Sequence, residues 1–200
     1  MTDLSCHHAV ITGGGTGIGA AIARVLHAAG ARITVMGRRM APLDAVAASL
    51  PGARAIAIDV TDEASVEAAM ASARELAPVS ILVNNAGAAE TAPLGKTSTA
   101  LWQQMIAVNL TGAFLCTRCV LDQVRSAQNG RVIMIASTSA LKGYAYTGAY
   151  AAAKHGVLGL TRTLALELAK TTATANAICP GFADTELVER SIDAVTAKTG

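Results

Sequence analysis

Six short apolar runs, each of strand length, alternate along this chain with alanine-rich stretches of helical period, and this alternation limits the fold more than any other feature. The runs are HAVIT at 8–12, RITVMG from 32, RAIAID from 54, SILVNN from 80, RVIMIAS from 131 and ATANAICP from 173. Between them lie segments such as GIGAAIARVLHAAG and ASVEAAMASARELA. Their apolar residues recur every three to four positions, as one buried helix face requires. The strand runs are apolar along their whole length and not only at every second residue. Strands of that kind are buried on both faces, so they belong in a parallel sheet covered by helices and joined by right-handed crossovers. The expected fold is a doubly wound parallel α/β sheet in a single domain over residues 1–200.

With 200 residues, 52% of them hydrophobic, the chain can bury one substantial core but not two. Charged residues make up 15%, the net charge is +2, and no Lys/Arg stripe is visible, so no nucleic-acid partner is expected. The apolar runs fall well short of the roughly 18–20 residues that cross a bilayer, so no membrane partner is expected either. Nothing after Met1 reads as an export signal, which makes the cytoplasm the expected compartment. The cysteines at 6, 116, 119 and 179 are scattered and read as reduced thiols. Cys116 and Cys119 form a C-x-x-C inside AFLCTRCVL, a helical stretch with no second Cys/His pair at zinc spacing. Packing is their expected role, and no metal is expected.

The run Thr12-Gly13-Gly14-Gly15-Thr16-Gly17-Ile18-Gly19 falls between the first strand and the first helix. Glycines there let the backbone turn tightly and approach phosphate oxygens, while unpaired amides at the helix start supply donors and a partial positive field. That is where a dinucleotide diphosphate meets a Rossmann-like sheet. The spacing is T-G-x-x-x-G-x-G, and further motifs follow in order: Asn84-Asn85-Ala86-Gly87 after the fourth strand, Asn109 in VNLTGAF, Ser137 after the fifth strand, Tyr150-x-x-x-Lys154, and Pro180-Gly181 after the sixth. As a set, across residues 10 to 185, they resemble the short-chain dehydrogenase/reductase family. The resemblance implies an NAD(P)-dependent oxidoreductase that moves a hydride between nicotinamide and a secondary alcohol or ketone. It also implies cofactor contacts at Gly13, Thr16, Gly17, Ile18, Gly19, Asp59, Val60, Asn85, Ala86, Gly87, Tyr150, Lys154, Pro180, Gly181, Ala183 and Thr185.

The second strand ends Met36-Gly37-Arg38-Arg39, with no carboxylate to meet an adenine-ribose 2′-hydroxyl. Arg38 is placed to pair with a 2′-phosphate, which favours NADP(H), with NAD(H) as the alternative. The competing reading makes both arginines solvated residues at a helix entrance. Asp59-Val60 resembles the family pair that borders the adenine, although Asp59 could instead cap the helix beginning near Thr61.

Tyr150 and Lys154, four residues apart on a helix, project from one face and can meet one ligand. An ordinary phenol, with a pKa near 10, is a poor base at neutral pH, but an adjacent ammonium and a positively charged oxidised nicotinamide both favour its phenolate. Tyr150 is therefore the expected general acid/base, Lys154 its tuner, and Ser137 a hydrogen-bond partner of the substrate oxygen. Thr138 and Ser139 share the same turn; the family register selects Ser137. The resemblance assigns Asn109 to a water-mediated proton relay with Lys154; otherwise a helix asparagine is a kink or packing element. His7, His8 and His155 lack spaced ligand partners and read as structural or solvated.

Family members continue beyond this point through another helix and a final strand, so the chain is expected to lack them. They are commonly homotetramers built on the helices holding Asn109 and Tyr150. The substrate pocket is expected in the loop after Asn85 and the turn from Ser139 to Thr147. These are compatible with a 3-oxoacyl thioester, a small hydroxy acid or a cyclic alcohol; resemblance to the acyl-reductase branch leans to a 3-hydroxyacyl/3-oxoacyl compound. The rival from another class, a non-catalytic NADP(H)-binding redox sensor, predicts loss of the reactive residues, whereas Asn109, Ser137, Tyr150 and Lys154 are all present.

Overall fold

A computed structural model describes residues 3–181 of the protein. The strands are β1 (His8–Thr12), β2 (Arg32–Gly37), β3 (Arg54–Ala57), β4 (Ile81–Asn84), β5 (Arg131–Ile135) and β6 (Thr174–Ile178). They form one parallel sheet in the order β3-β2-β1-β4-β5-β6. The helices are α1 (Gly17–Ala28), α2 (Met40–Ala48), α3 (Glu63–Leu76), α4 (Thr99–Ile106), α5 (Gly112–Ser126) and α6 (Gly148–Leu168). The expected doubly wound α/β fold is present, and every strand lies inside its expected run.

Alternating strand residues feed two cores. Ile11, Ile33, Val35 and Val83 pack with Ala20, Ala23, Leu43 and Val46 of α1 and α2. Val10, Leu82, Val132 and Met134 pack on the other face with Val66 and Met70 of α3, Leu115 and Val120 of α5, and Val157 and Leu164 of α6. With both faces covered, there is no solvent side for polar alternation to mark, which is why the strands read as continuous apolar runs. Fully burying each such side chain is worth about 1.5–3 kcal/mol.

The strand order reverses between β1 and β4, and chains leave both at the same end of the sheet, which opens a crevice there. Three local findings refine the sequence reading. The cap of α3 is Asp62, whose carboxylate accepts from the Ala64 amide at 3.1 Å. Asp59 is not that cap: its carboxylate accepts from the Thr61 amide and hydroxyl, at 2.9 and 2.7 Å, and tightens the turn before it. Next, α4 and α5 are joined through a wide turn, Ala107–Thr111, into one helical run over Thr99–Ser126 that is long and apolar enough to cross a membrane by length and composition. Here Leu115, Cys116, Thr117, Val120 and Val124 of that run are buried in the α3/α6 core, so it serves as a core helix. Its Cys116 thiol is pushed up to about 12 by burial, the state of a packed and unreactive cysteine. Finally, His8 is a buried structural residue, described below with its partners.

Candidate active site

The glycine loop is folded against β4 by a strut that sequence reading passed over. The Thr12 hydroxyl, buried at the end of β1, accepts from the amides of Asn85 and Ala86, both at 3.0 Å, and donates to the Val83 carbonyl at 3.3 Å. In return, the Asn85 side-chain amide donates to the carbonyls of Thr12 (3.0 Å) and Gly13 (3.1 Å). The clamp leaves no room for side chains beneath it. Gly13 has φ +63°, and a Cβ there would stand 2.8 Å from Asn85 Nδ2; a Cβ on Gly19 would collide with the Gly13 carbonyl. A polar residue ending an otherwise apolar strand was the available signal for Thr12.

Helix α1 begins without the usual means of satisfying its first amides. Thr16 at the N-cap makes no side-chain capping bond, and the first turn contains no acidic residue. Thr16 and Gly17 are exposed, and Ile18 is half-buried. Among the described residues no backbone acceptor takes the amides of Gly15 through Gly19. Donors directed outward at the positive end of a helix fit a diphosphate. Nearby, Arg38 is exposed at the end of β2 and close enough to Asp59 to help lower its carboxyl, an effect due first to the Thr61 bonds. Val60 faces inward and is buried against the α3/α5 core, so only its backbone is available to a ligand. Pro180 and Gly181 follow β6, and the Pro180 carbonyl accepts from the Thr138 amide at 2.9 Å. Ala183 and Thr185 lie outside the described residues.

The expected reactive residues meet at the same end of the sheet. Ser137 stands two residues beyond β5; its hydroxyl accepts from the Ser139 amide at 3.1 Å and lies near enough to the Tyr150 phenol to oppose the rise in its pKa. The competing hydroxyls are accounted for: Ser139 is buried, and Thr138 accepts from the Tyr144 hydroxyl at 3.1 Å. One turn of α6 beyond Tyr150, the Lys154 ammonium lies 5.7 Å from that ring's centroid and donates to the Ile135 carbonyl at 2.8 Å. Lys154 is only 5% exposed, and burial lowers its pKa to about 8, opposed by Cys179.

Asn109 occupies the wide turn between α4 and α5. Its amide nitrogen donates to the Met105 carbonyl (3.0 Å), inside the bent helix, and to the Ala88 carbonyl (2.9 Å), while its oxygen accepts from the Ala88 amide at 3.3 Å. Turns of this kind recur at functional sites. A Cβ on Gly87 would lie 2.8 Å from Asn109 Oδ1 and 3.7 Å from Lys154 Nζ, so the two side chains converge above Gly87.

Burial raises the Tyr150 phenol above the ordinary value of 10, because the enclosed ring lacks the water that would solvate its anion, and Ser137 opposes the shift. His7, His8 and His155 are structural, as expected, and among the described residues no His/Cys/Asp/Glu cluster could hold a metal.

A sheet with a crevice at its reversal point, an anion-ready helix start and a Ser-Tyr-Lys group define a nucleotide-dependent oxidoreductase site. Residues 7–195 match the family model described as short chain dehydrogenase. The chain is 41% identical over 189 residues to granaticin polyketide synthase putative ketoacyl reductase 1 of Streptomyces violaceoruber, covering 91% of this chain and 70% of that one. It is 40% identical over 199 residues to D-beta-hydroxybutyrate dehydrogenase of Cupriavidus necator, covering 96% and 76%. A crystal structure of an actinorhodin polyketide ketoreductase variant with NADPH superposes with TM-score 0.93 at 34% identity, covering 100% of this chain and 79% of that one. The chain belongs to the short chain dehydrogenase family. It is an NAD(P)-dependent oxidoreductase acting on the alcohol/ketone pair.

Proposed function

We propose that the protein interconverts a secondary alcohol and a ketone with Tyr150 as the general acid/base, preferring NADP(H), on a 3-hydroxyacyl/3-oxoacyl type of substrate. The observation that carries this reading is the buried Lys154 ammonium 5.7 Å from the centroid of the Tyr150 ring, with Ser137 beside the phenol. The nicotinamide, when bound, supplies or accepts the hydride. The protein's part is to hold and move the proton. In reduction Tyr150 gives its phenolic proton to the carbonyl oxygen, and in oxidation it takes the alcohol proton. Ser137, beside the phenol, donates to the same substrate oxygen and fixes its position. Lys154, anchored on the Ile135 carbonyl, keeps positive charge beside the ring. Asn109 relays protons between Lys154 and solvent, supported by the convergence of both side chains above Gly87.

Arg38 supports the cofactor preference: it is an exposed guanidinium with no salt bridge among the described residues, at the strand end where a 2′-phosphate would be read. The relatives named above as a ketoacyl reductase and a hydroxybutyrate dehydrogenase support the substrate class. Homotetramer formation is supported by large apolar side chains left exposed on α4, α5 and α6: Trp102, Phe114 and Leu166. The test is Tyr150→Phe, with NADPH and NADH titrated separately. Turnover should fall by about three orders of magnitude while the NADPH dissociation constant stays within a few-fold. Undiminished turnover would reject Tyr150, and tighter binding of NADH would reject the role given to Arg38.

A further inference from the structure

The turn that carries Ser137 into α6 also carries a cation that no step above uses. Lys142 is exposed, and its ammonium lies 5.0 Å from the centroid of the Tyr144 ring. The ring itself is fixed. Its hydroxyl donates to Thr138 Oγ1 at 3.1 Å, and its backbone carbonyl accepts from the Thr147 hydroxyl at 2.8 Å and the Thr147 amide at 3.4 Å. The ring face attracts the ammonium and orients it without consuming its N–H donors, so the charge is positioned but still able to bind an anion.

Among the described residues no carboxylate pairs with Lys142. The facing substrate loop is tied to this turn by the Ala92 amide, which donates to the Tyr146 carbonyl at 2.8 Å. That loop carries Glu90, exposed and likewise free of an ion pair among the described residues, so it does not neutralise the lysine. The rest of the rim is apolar: Leu94, Leu141 and Tyr146 are 76%, 63% and 44% exposed. Leu94 reaches the first residue of α6, two positions before Tyr150, since a Cβ on Gly148 would touch its Cδ1 at 3.4 Å. Thr138 adjoins Ser137, and the chain of contacts from it through the Tyr144 ring puts the ammonium within roughly 11 Å of the Thr138 hydroxyl.

We infer that Lys142, seated on the Tyr144 ring, is a specificity residue that recognises an anionic group carried by the carbonyl substrate, while the apolar rim takes the intervening carbon chain. The inference rests on the hydride-transfer reading given above and narrows its substrate class. Two sources share this chemistry: the carboxylate of a short free oxo acid, and the phosphates of the arm that carries an acyl thioester.

The test compares three substrates on wild type, Lys142→Gln and Lys142→Arg: a 3-oxoacyl thioester of coenzyme A, the same acyl group on the uncharged N-acetylcysteamine arm, and a free oxo acid of similar length. The expected result is a KM at least about five-fold lower for one anionic substrate than for the neutral thioester in the wild type. That ratio should shrink towards one in Lys142→Gln, be restored in Lys142→Arg, and weaken with added salt, with kcat moving less than KM. Which anionic substrate shows the preference identifies the source. A wild type without such a preference, or one whose preference survives Lys142→Gln, overturns the inference while leaving hydride transfer standing. A wild type that reduces none of the three overturns the underlying reading and the inference with it.

Discussion

The two ends of the sheet treat their polar groups in opposite ways. At the end where strands begin, polar groups close on one another. His8, 1% exposed, donates through Nδ1 to the Ala77 carbonyl at 2.8 Å and accepts at Nε2 from the Thr34 hydroxyl at 2.9 Å. His7 Nδ1 and the His8 amide both meet the Ser80 hydroxyl, at 3.1 and 3.0 Å. At the end where strands finish, the amides of Gly15 through Gly19 have no backbone acceptor among the described residues, and the buried Lys154 ammonium donates to the Ile135 carbonyl beside Tyr150. Unsatisfied donors cost free energy unless a ligand takes them, whereas satisfied ones hold the fold together. The contrast separates residues that stabilise this protein from those proposed to work in it.

That separation breaks most readily at the ligand end. Gly19→Ala puts a methyl against the Gly13 carbonyl and should weaken NADPH binding by about 100-fold or more, measured by fluorescence titration. If affinity is retained, the glycine loop is not the diphosphate site. Smaller in effect, and opposite in kind, His8→Leu orphans the Ala77 carbonyl and the Thr34 hydroxyl. It should cost about 2–4 kcal/mol in urea unfolding while the KM for cofactor changes little. A matching loss of cofactor affinity would show that the two ends are coupled.

The same histidine gives the contrast a pH signature. Burial lowers its pKa below the ordinary 6.5, and the charges of Arg32 and Arg54 add to that, opposed by the Ala77 hydrogen bond. The unfolded chain therefore gains a proton before the folded one. Stability from neutral His8 is present above the ordinary imidazole range and lost as pH falls below about 6.5. His8→Leu should flatten that acid limb, and an unchanged limb would assign it to other groups.

Lys154 acts at the other end of the pH scale. Its pKa is 10.5 in the unfolded chain and about 8 when folded, so between those values the unfolded chain binds a proton that the folded chain has lost. Stability should rise across that window and be lost as pH drops through about 8. Lys154→Met should remove the slope in calorimetric scans at several pH values. If the slope persists, the ammonium is better solvated than its burial indicates.

The sequence by itself determined the layered sheet, because strands buried on both faces must be apolar throughout and helices must show one apolar face, and both patterns are local. It also placed Gly13 to Gly19, Ser137, Tyr150 and Lys154, whose chemistry depends on residue type and short spacing. Tertiary structure alone decided the rest. Thr12 became the strut of the glycine loop because β4 brings Asn85 and Ala86 to it from more than 70 positions away. Asp62 displaced Asp59 as the cap of α3, and the Tyr150 phenol moved up in pKa, because burial and hydrogen-bond partners are properties of the packed site. Lys142 gained its proposed role only when Tyr144 and Thr138 were seen beneath it. Spacing along a chain fixes which residues share a face, but desolvation and partnership depend on what the rest of the chain packs against that face.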